Sequence, residues 1–380
     1  IEILEKRKIL FNLWTKLMSL KINKFNNRMM SLAISLAEQR IGLTGENPSV
    51  GCVIVKNNKI ISFGQTGLGG TPHAEVDAIN KAKESLKNSS IYITLEPCCH
   101  YGKTPPCTKK IIQSKIKKVY YGIDDVDVRT AKKSSNVLRK SGIFVKKNIL
   151  KTRIKKLYKS YFFLRRNNIP YVTGKIACSK NNLINSKDKY ITNKKSRDIS
   201  HLLRFKNHAI LVSSRTVNQD NPILNCRIDG LDKYSPIRII VDKNLKINKN
   251  SIILKTSKNY KTFIFYNKVS QKLFFLKKKG VKLILSPLDT NGNIDLAFVL
   301  KEIKKRKIHY LLVEGGKMLT NYFVNKKYFK EFYLFKTNSN LKKSKNSINI
   351  SDIIKKLSVI FNSKKILKIN LDSDNIIKYV

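Results

Sequence analysis

The sequence predicts an α/β protein of two domains, and three observations carry that reading. A chain of 380 residues with 42% hydrophobic content can bury two substantial cores. Short β-branched runs alternate with segments of helical periodicity, which implies sheets with helices packed on them. The alternation is interrupted once, by a basic, helix-prone stretch at 149–168 that ends in Asn168-Ile169-Pro170, and the junction between domains is placed there. No run of about 18 apolar residues occurs, so no transmembrane helix is expected.

The first domain is assigned to residues 26–148. Residues 1–25 are basic and partly apolar, with Trp14 and Leu17 on one helical face, but lack the apolar core and cleavage site of a secretory signal. They precede Met29 and Met30 and are read as an extension or a misplaced start, disordered or loosely helical. Met29, Met30, Ala33, Leu36 and Ala37 then recur at helical spacing, and Gly42 ends the helix. Gly45-Glu46-Asn47-Pro48 is a turn. Strands follow at 50–55 and 60–63, joined by Asn57-Asn58. A helix at 73–86, a strand at 91–95, a helix opened by Cys107, a strand at 118–123, a helix at 131–140 and a strand at 143–145 complete an α/β/α layer domain.

Within it, His73-Ala74-Glu75 precedes Glu96-Pro97-Cys98 and Cys107. One imidazole and two thiolates are three ligands for a tetrahedral Zn²⁺, leaving a fourth position for water, as a catalytic zinc requires. Bound zinc lowers the pKa of its water to about 7, which makes hydroxide available at neutral pH. Glu75 is placed to carry protons without binding metal. Because positions two apart on a helix point to different sides, His73 and Glu75 must both sit at the first turn to converge. This is the His-x-Glu…Pro-Cys arrangement of zinc-dependent base deaminases. The competing reading, a closed zinc knot, leaves Glu75 and the missing fourth ligand unexplained. Cys107 at a helix N-terminus also favours a thiolate.

Eight residues stand between Cys98 and Cys107, where the usual deaminase motif has two. His73-Ala74-Glu75-Val76, Thr94-Leu95-Glu96-Pro97-Cys98 and Gly102-Lys103-Thr104-Pro105-Pro106-Cys107 together resemble the deaminase half of the bifunctional riboflavin-biosynthesis deaminase/reductase family. The resemblance implies a cytidine-deaminase-like fold, Glu75 as the catalytic residue, and Zn²⁺ on His73, Cys98 and Cys107. It implies that Asn47, in its Asn-Pro-x-Val-Gly context, helps hold a pyrimidine ring, against the plain reading of a turn asparagine before Pro48. It also implies that His100 and Lys103 contact substrate. Cys99 stands where the family often has Ser, and is read as a small neighbour close enough to compete for metal.

The second domain, 169–380, alternates strands at 171–177, 209–212, 237–241, 262–266, 281–285, 310–313 and 332–335 with helices at 193–205, 271–279, 296–305 and 317–324. Thr192 is the expected N-cap of the first helix. The alternation implies a mainly parallel sheet. No Gly-x-Gly-x-x-Gly occurs, so a dinucleotide-binding Rossmann domain is not indicated. Val313-Glu314-Gly315-Gly316 follows a strand and opens a helix, where bare amides can meet a phosphate.

Leu203-Arg204, Thr216-Val217, Asp220-Asn221-Pro222-Ile223-Leu224, Arg227, Val241-Asp242 and Glu314-Gly315-Gly316 resemble the reductase half of the same family. The likeness spans roughly residues 29–335. It implies a dihydrofolate-reductase-like α/β fold that uses NADPH. Arg204, Leu224, Arg227 and Glu314 would hold the phosphoribosyl substrate; Cys178, Thr216, Asp220, Gly315 and Gly316 would face the cofactor. The family's usual Ser-Leu-Asp-Gly is Ser179-Lys180-Asn181-Asn182 here, Tyr190 replaces a usual Trp, and the last 45 or so residues are not placed.

The net charge of +52 suggests nucleic acid or an anionic surface when taken alone. The cations are spread along the chain beside abundant Asn and Ile, so A/T-rich codon usage suffices to explain them. Six cysteines are few for this length and suggest a reducing cytoplasm. The reading is a cytoplasmic, zinc- and NADPH-dependent enzyme of riboflavin biosynthesis. It acts on a phosphorylated pyrimidine, with no membrane or nucleic-acid partner, and the family implies a homo-oligomer. The alternatives are a zinc-dependent tRNA base deaminase, a deaminase with an inactive reductase domain, and a basic RNA-binding protein on a decayed enzyme.

Overall fold

A computed structural model describes residues 2–102, 104–184, 190–344 and 347–380. Lys103 and the side chains of Trp14 and Leu17 lie outside what is described. The chain divides into two units, Ile1–Arg166 and Asn167–Val380.

The first unit runs α1 (Glu2–Glu38), β1 (Gly51–Lys56), β2 (Lys59–Gln65), α2 (Ala74–Lys81), β3 (Ser90–Leu95), α3 (Cys107–Gln113), β4 (Lys118–Ile123), α4 (Ser134–Lys140), β5 (Phe144–Lys146), α5 (Lys151–Leu157) and α6 (Lys159–Arg166). Its strands lie in the order β2-β1-β3-β4-β5, with β1 antiparallel to both neighbours and β3, β4 and β5 parallel. Asn57 and Asn58, both at positive φ, make the tight turn that twists β1 into β2.

Two glycines show how the helices cover this sheet. A Cβ on Gly51 would lie 1.9 Å from Ala33 O of α1, and one on Gly64 would lie 2.4 Å from Ala74 O of α2. Gly64 pairs with Cys52, the residue after Gly51, and successive residues of a strand face opposite ways. Helices α1 and α2 therefore sit on opposite faces, giving three layers. Met30, Ala33, Ile34 and Ala37 bury the face of α1. That helix begins at Glu2, so residues read as a disordered or loose extension have a helical backbone. Helix α2 stops at Lys81, because Ala82 turns extended, and Leu86 packs into the core from beyond it.

Residues 149–168, read as a linker, largely form α5 and α6. Ile154, Tyr158 and Tyr161 make a helical stripe at spacings of four and three, and all three are buried in the first core. Tyr158 shares a hydrogen bond with Thr94 of β3, at 2.6 Å between hydroxyls.

The second unit runs β6 (Tyr171–Cys178), α7 (Lys194–Phe205), β7 (Ala209–Ser213), α8 (Ser214–Asp220), β8 (Ile237–Val241), α9 (Ile252–Lys255), β9 (Thr262–Tyr266), α10 (Lys272–Lys278), β10 (Lys282–Leu285), α11 (Leu296–Lys305), β11 (Tyr310–Glu314), α12 (Lys317–Asn325), β12 (Phe329–Thr337), α13 (Ser351–Ile360), β13 (Lys364–Ile366) and β14 (Asp374–Tyr379). Strand order is β10-β9-β8-β7-β11-β6-β12-β14-β13, parallel from β10 to β12. Along β7, Ala209 and Leu211 belong to one core cluster and Ile210 and Val212 to another. Both faces of the sheet are covered, which is why its strands read as continuous apolar runs.

Two expectations change in this unit. The N-cap of α7 is Asn193, whose side chain accepts from Ser196 N at 2.9 Å, and not Thr192. The unplaced last residues supply β14, which pairs antiparallel with β12 from Phe332↔Tyr379 to Thr337↔Asp374.

Candidate active site

The first site lies where β3 ends and α2 and α3 begin. His73 is the extended residue preceding α2, and Glu75 is the second residue of that helix, so both occupy its opening turn. Cys98 follows β3 by three residues, and Cys107 opens α3. His73 Nδ1 lies 3.3 Å from Cys107 Sγ and 3.6 Å from Cys98 Sγ. The three donor atoms are within 4.8 Å of one another, and among the described residues they form the only such group. Bonds of about 2.3 Å to sulfur and 2.0–2.1 Å to nitrogen separate tetrahedral zinc ligands by about 3.5–3.8 Å, so these residues fit the ion.

The electrostatics suit that use. Hydrogen bonding from Cys107 and His73 holds the Cys98 thiol well below the usual thiol range against the opposing effect of burial, while Cys98 and burial push the Cys107 thiol up. Burial pushes the Glu75 carboxyl up to about 7, with His73 acting against it. Cys99 stands apart, its Sγ 3.8 Å from Arg129 O, and does not join the ligand group. Cys98→Ser and Cys107→Ser proteins should therefore lose zinc while Cys99→Ser protein keeps it. Elemental analysis checks this, and full zinc in the Cys107→Ser protein would defeat the ligand assignment.

A cleft of about 80 Å³ opens beside these ligands, with Asn47, Glu75 and His100 in its wall. Asn47 donates from Nδ2 to Gly70 O at 2.8 Å, and His100 Nδ1 meets Thr130 Oγ1 at 3.0 Å. The loop after β4 also lines the cleft. Its anchor is Glu96, whose carboxylate accepts from the backbone N–H of Asp125, Lys132 and Ser134 at 3.1, 2.9 and 3.1 Å. Sequence reading took Glu96 only as part of the motif; nothing local signals a carboxylate that organises a loop about 30 residues on.

The second site lies at the carboxyl ends of parallel strands, where open α/β sheets place ligands. Neighbouring strands β6, β11 and β7 end at Cys178, Glu314 and Ser213. Gly315 and Gly316 follow Glu314 and lead into α12, and a Cβ on Gly316 would meet nothing within 4 Å, so the backbone there is open to a phosphate. Thr216 lies in the first turn of α8, where its N–H donates to Ser213 Oγ, and Asp220 ends that helix. Burial raises the Asp220 carboxyl and pushes the Cys178 thiol up to about 11.

Beside them Arg204 holds Glu314 in a fork, with Nε to Oε1 and Nη2 to Oε2 both at 3.0 Å. Burial would raise the Glu314 carboxyl, but Arg204 and Lys175 outweigh it and hold it at about 2. Arg204 Nη1 also donates to Asn225 O at 3.1 Å. Leu224, at φ 61, takes a backbone conformation rare for its type, and turns the chain as Asn225 enters this contact. Arg227 is exposed and donates to Asn225 Oδ1 at 3.3 Å. Sequence reading missed Lys175, whose Nζ lies 3.9 Å from Glu314 Oε2 and whose ammonium pKa is lowered by burial. The available signal was a single cation inside the apolar run of β6.

The replaced Ser179-Lys180-Asn181-Asn182 segment keeps a defined turn. Asn182 takes φ 62, and Asn is the residue after Gly that best tolerates this region. The Asn181 side chain donates to Leu341 O at 2.9 Å and accepts from Leu341 N at 3.1 Å, tying the turn to the chain beyond β12.

Comparison with known proteins finds a matching family for each part of the chain. The family described as the cytidine and deoxycytidylate deaminase zinc-binding region matches residues 23–123, and the RibD C-terminal domain matches residues 171–337. The chain is 35% identical to riboflavin biosynthesis protein RibD of Aquifex aeolicus over 83% of this chain and 87% of that one. It is 36% identical to RibD of Actinobacillus pleuropneumoniae over 76% and 77%. Among solved structures, a diaminohydroxyphosphoribosylaminopyrimidine deaminase/5-amino-6-(5-phosphoribosylamino)uracil reductase from Thermotoga maritima superposes with TM-score 0.79 at 28% identity, over 94% of this chain and 98% of that one.

Proposed function

The chain belongs to the RibD family of riboflavin-biosynthesis proteins, bifunctional deaminases and reductases, and from that premise we propose how its residues divide the two reactions. The substrate is 2,5-diamino-6-(5-phosphoribosylamino)pyrimidin-4-one. His73, Cys98 and Cys107 would hold zinc, which when bound would supply Lewis acidity and bring the pKa of a water to about 7. Asn47 and His100 orient the pyrimidine ring, and Lys103 is assigned to substrate with them. Glu75 accepts the proton of the attacking water and passes it to the amine nitrogen. A carbon–oxygen bond forms, the carbon–nitrogen bond breaks, and ammonia leaves a uracil ring. A carboxyl near pKa 7 both takes and gives a proton at neutral pH.

In the second unit Cys178, Thr216, Asp220, Gly315 and Gly316 would hold NADPH, which when bound would supply the hydride for reduction of the ribosyl carbon to a ribityl chain. Arg204, Leu224, Arg227 and Glu314 hold 5-amino-6-(5-phosphoribosylamino)uracil. Lys175 adds a buried donor at the same place, where its lowered pKa eases delivery of the proton that accompanies hydride.

No helix among the described residues is long and apolar enough to cross a membrane. None of the six cysteines is paired in a disulfide, which suits a reducing cytoplasm. The chain acts there as a homo-oligomer, and its positive charge attracts an anionic substrate, not nucleic acid. The observation that carries the reading is the meeting of His73, Cys98 and Cys107 beside buried Glu75. The test is ammonia release from the diaminopyrimidine followed by NADPH oxidation. Activity on a tRNA base instead, with none on the diaminopyrimidine, would overturn it.

A further inference from the structure

Two guanidinium groups stand in the wall of the deaminase cleft, and the chemistry above uses neither. Arg129, on the loop after β4, chelates Asp127 through Nε at 2.9 Å and Nη2 at 2.6 Å, and adds its backbone N–H at 3.1 Å. Arg165 comes from α6 and reaches the same carboxylate only at 3.6 Å. Its guanidinium lies 5.4 Å from the centre of the Tyr161 ring. Tyr161 and Arg165 are four residues apart and share a helix face. The Tyr161 hydroxyl donates to Asp125 Oδ1 at 3.0 Å, so ring and guanidinium are held together against the loop.

Arg165 is the less closely bonded of the two guanidiniums. Asp127 carries one negative charge for two guanidiniums. Asp125 is committed to Tyr161 and to the N–H groups of Val126 and Asp127. Glu96 is committed to three backbone N–H groups. A guanidinium presents five N–H donors in a rigid fork that matches phosphate, and this one lines the cleft and remains about one-third exposed.

We propose that Arg165, pre-positioned by Tyr161 and Asp127, is the anion-binding group of the deaminase cleft and grips the phosphate of the phosphorylated pyrimidine. The assignment rests on the deaminase reading above. Arg129 takes the two short contacts to Asp127, so Arg165 holds that carboxylate only at 3.6 Å.

The test measures ammonia release by the full-length zinc enzyme from the phosphorylated substrate and from the same compound lacking its phosphate. Arg165→Met keeps the length and apolar stem of the side chain and removes its donors. The ratio of kcat/KM for the phosphorylated over the unphosphorylated compound should fall about tenfold or more, mainly through KM. Arg165→Lys should restore part of the ratio, and inorganic phosphate should inhibit wild type more strongly than Arg165→Met. If Arg165→Met slows both compounds equally, so that the ratio is unchanged, Arg165 is a structural prop and the assignment falls alone. If wild type releases ammonia from neither compound, the deaminase reading falls and takes the assignment with it.

Discussion

Glu75→Gln protein should retain about one zinc per chain and yet release ammonia at least about 10²-fold more slowly, the scale of general acid–base catalysis. Two observations separate these effects. The ligand atoms of His73, Cys98 and Cys107 form a group that does not include Glu75, so an amide at position 75 leaves the metal's donors intact. Glu75 is buried within the first turn of α2, and burial brings its pKa close to neutrality, whereas an amide cannot carry a proton at any accessible pH. Gln matches Glu in size, so the packing of α2 should survive. Zinc content by elemental analysis and ammonia release are read on the same sample. Loss of zinc from the Gln variant would make Glu75 a ligand, and undiminished ammonia release would remove its catalytic role.

Removing Arg204 should have the largest effect on the second reaction. Arg204→Ala leaves Glu314, which is 13% exposed in its side chain, without its two-point partner. Breaking a buried pair by deleting one member costs about 3–5 kcal/mol, and the Asn225 carbonyl also loses a donor. The measurement is NADPH oxidation with the already deaminated uracil as substrate. Protein carrying Glu75→Gln alone should oxidise NADPH, in preference to NADH. The double variant Glu75→Gln, Arg204→Ala should lose most of that rate while retaining zinc. Ammonia release by single-variant Arg204→Ala should persist, because His73, Glu75, Cys98 and Cys107 belong to the other unit. Full NADPH oxidation by the Arg204→Ala protein would remove Arg204 from the reductase site. No oxidation by folded Glu75→Gln protein would leave the chain a deaminase with an inactive second domain.

Elements whose residues carry their own signal are legible in the amino-acid sequence alone. Strands β4, β8 and β9 have the bounds that their apolar runs predict, because a strand buried on both faces is apolar at nearly every position. The zinc group is legible for a related reason: imidazole and thiolate are scarce here, with five His and six Cys in the chain, so their spacing stands out. The cations of both sites have the opposite problem. Among 77 Lys and Arg, neither Lys175 nor Arg165 is distinguishable by type, and Arg204 and Arg227 stand out only through their neighbouring motifs.

By itself, then, the sequence determined the α/β class, the alternation of the second domain, the scarce-residue zinc group and the carboxylate two positions from its histidine. These depend on residue type and on spacing within one element or one loop. Only the tertiary structure decided that α5 and α6 complete the first core, that Glu96 anchors the cleft wall, that Lys175 joins Arg204 on Glu314, and that Arg165 meets Asp127. Each of those rests on contact between residues far apart in the chain. A buried or weakly paired charge acquires its role from the partners that folding brings to it, and no local pattern encodes which partners those are.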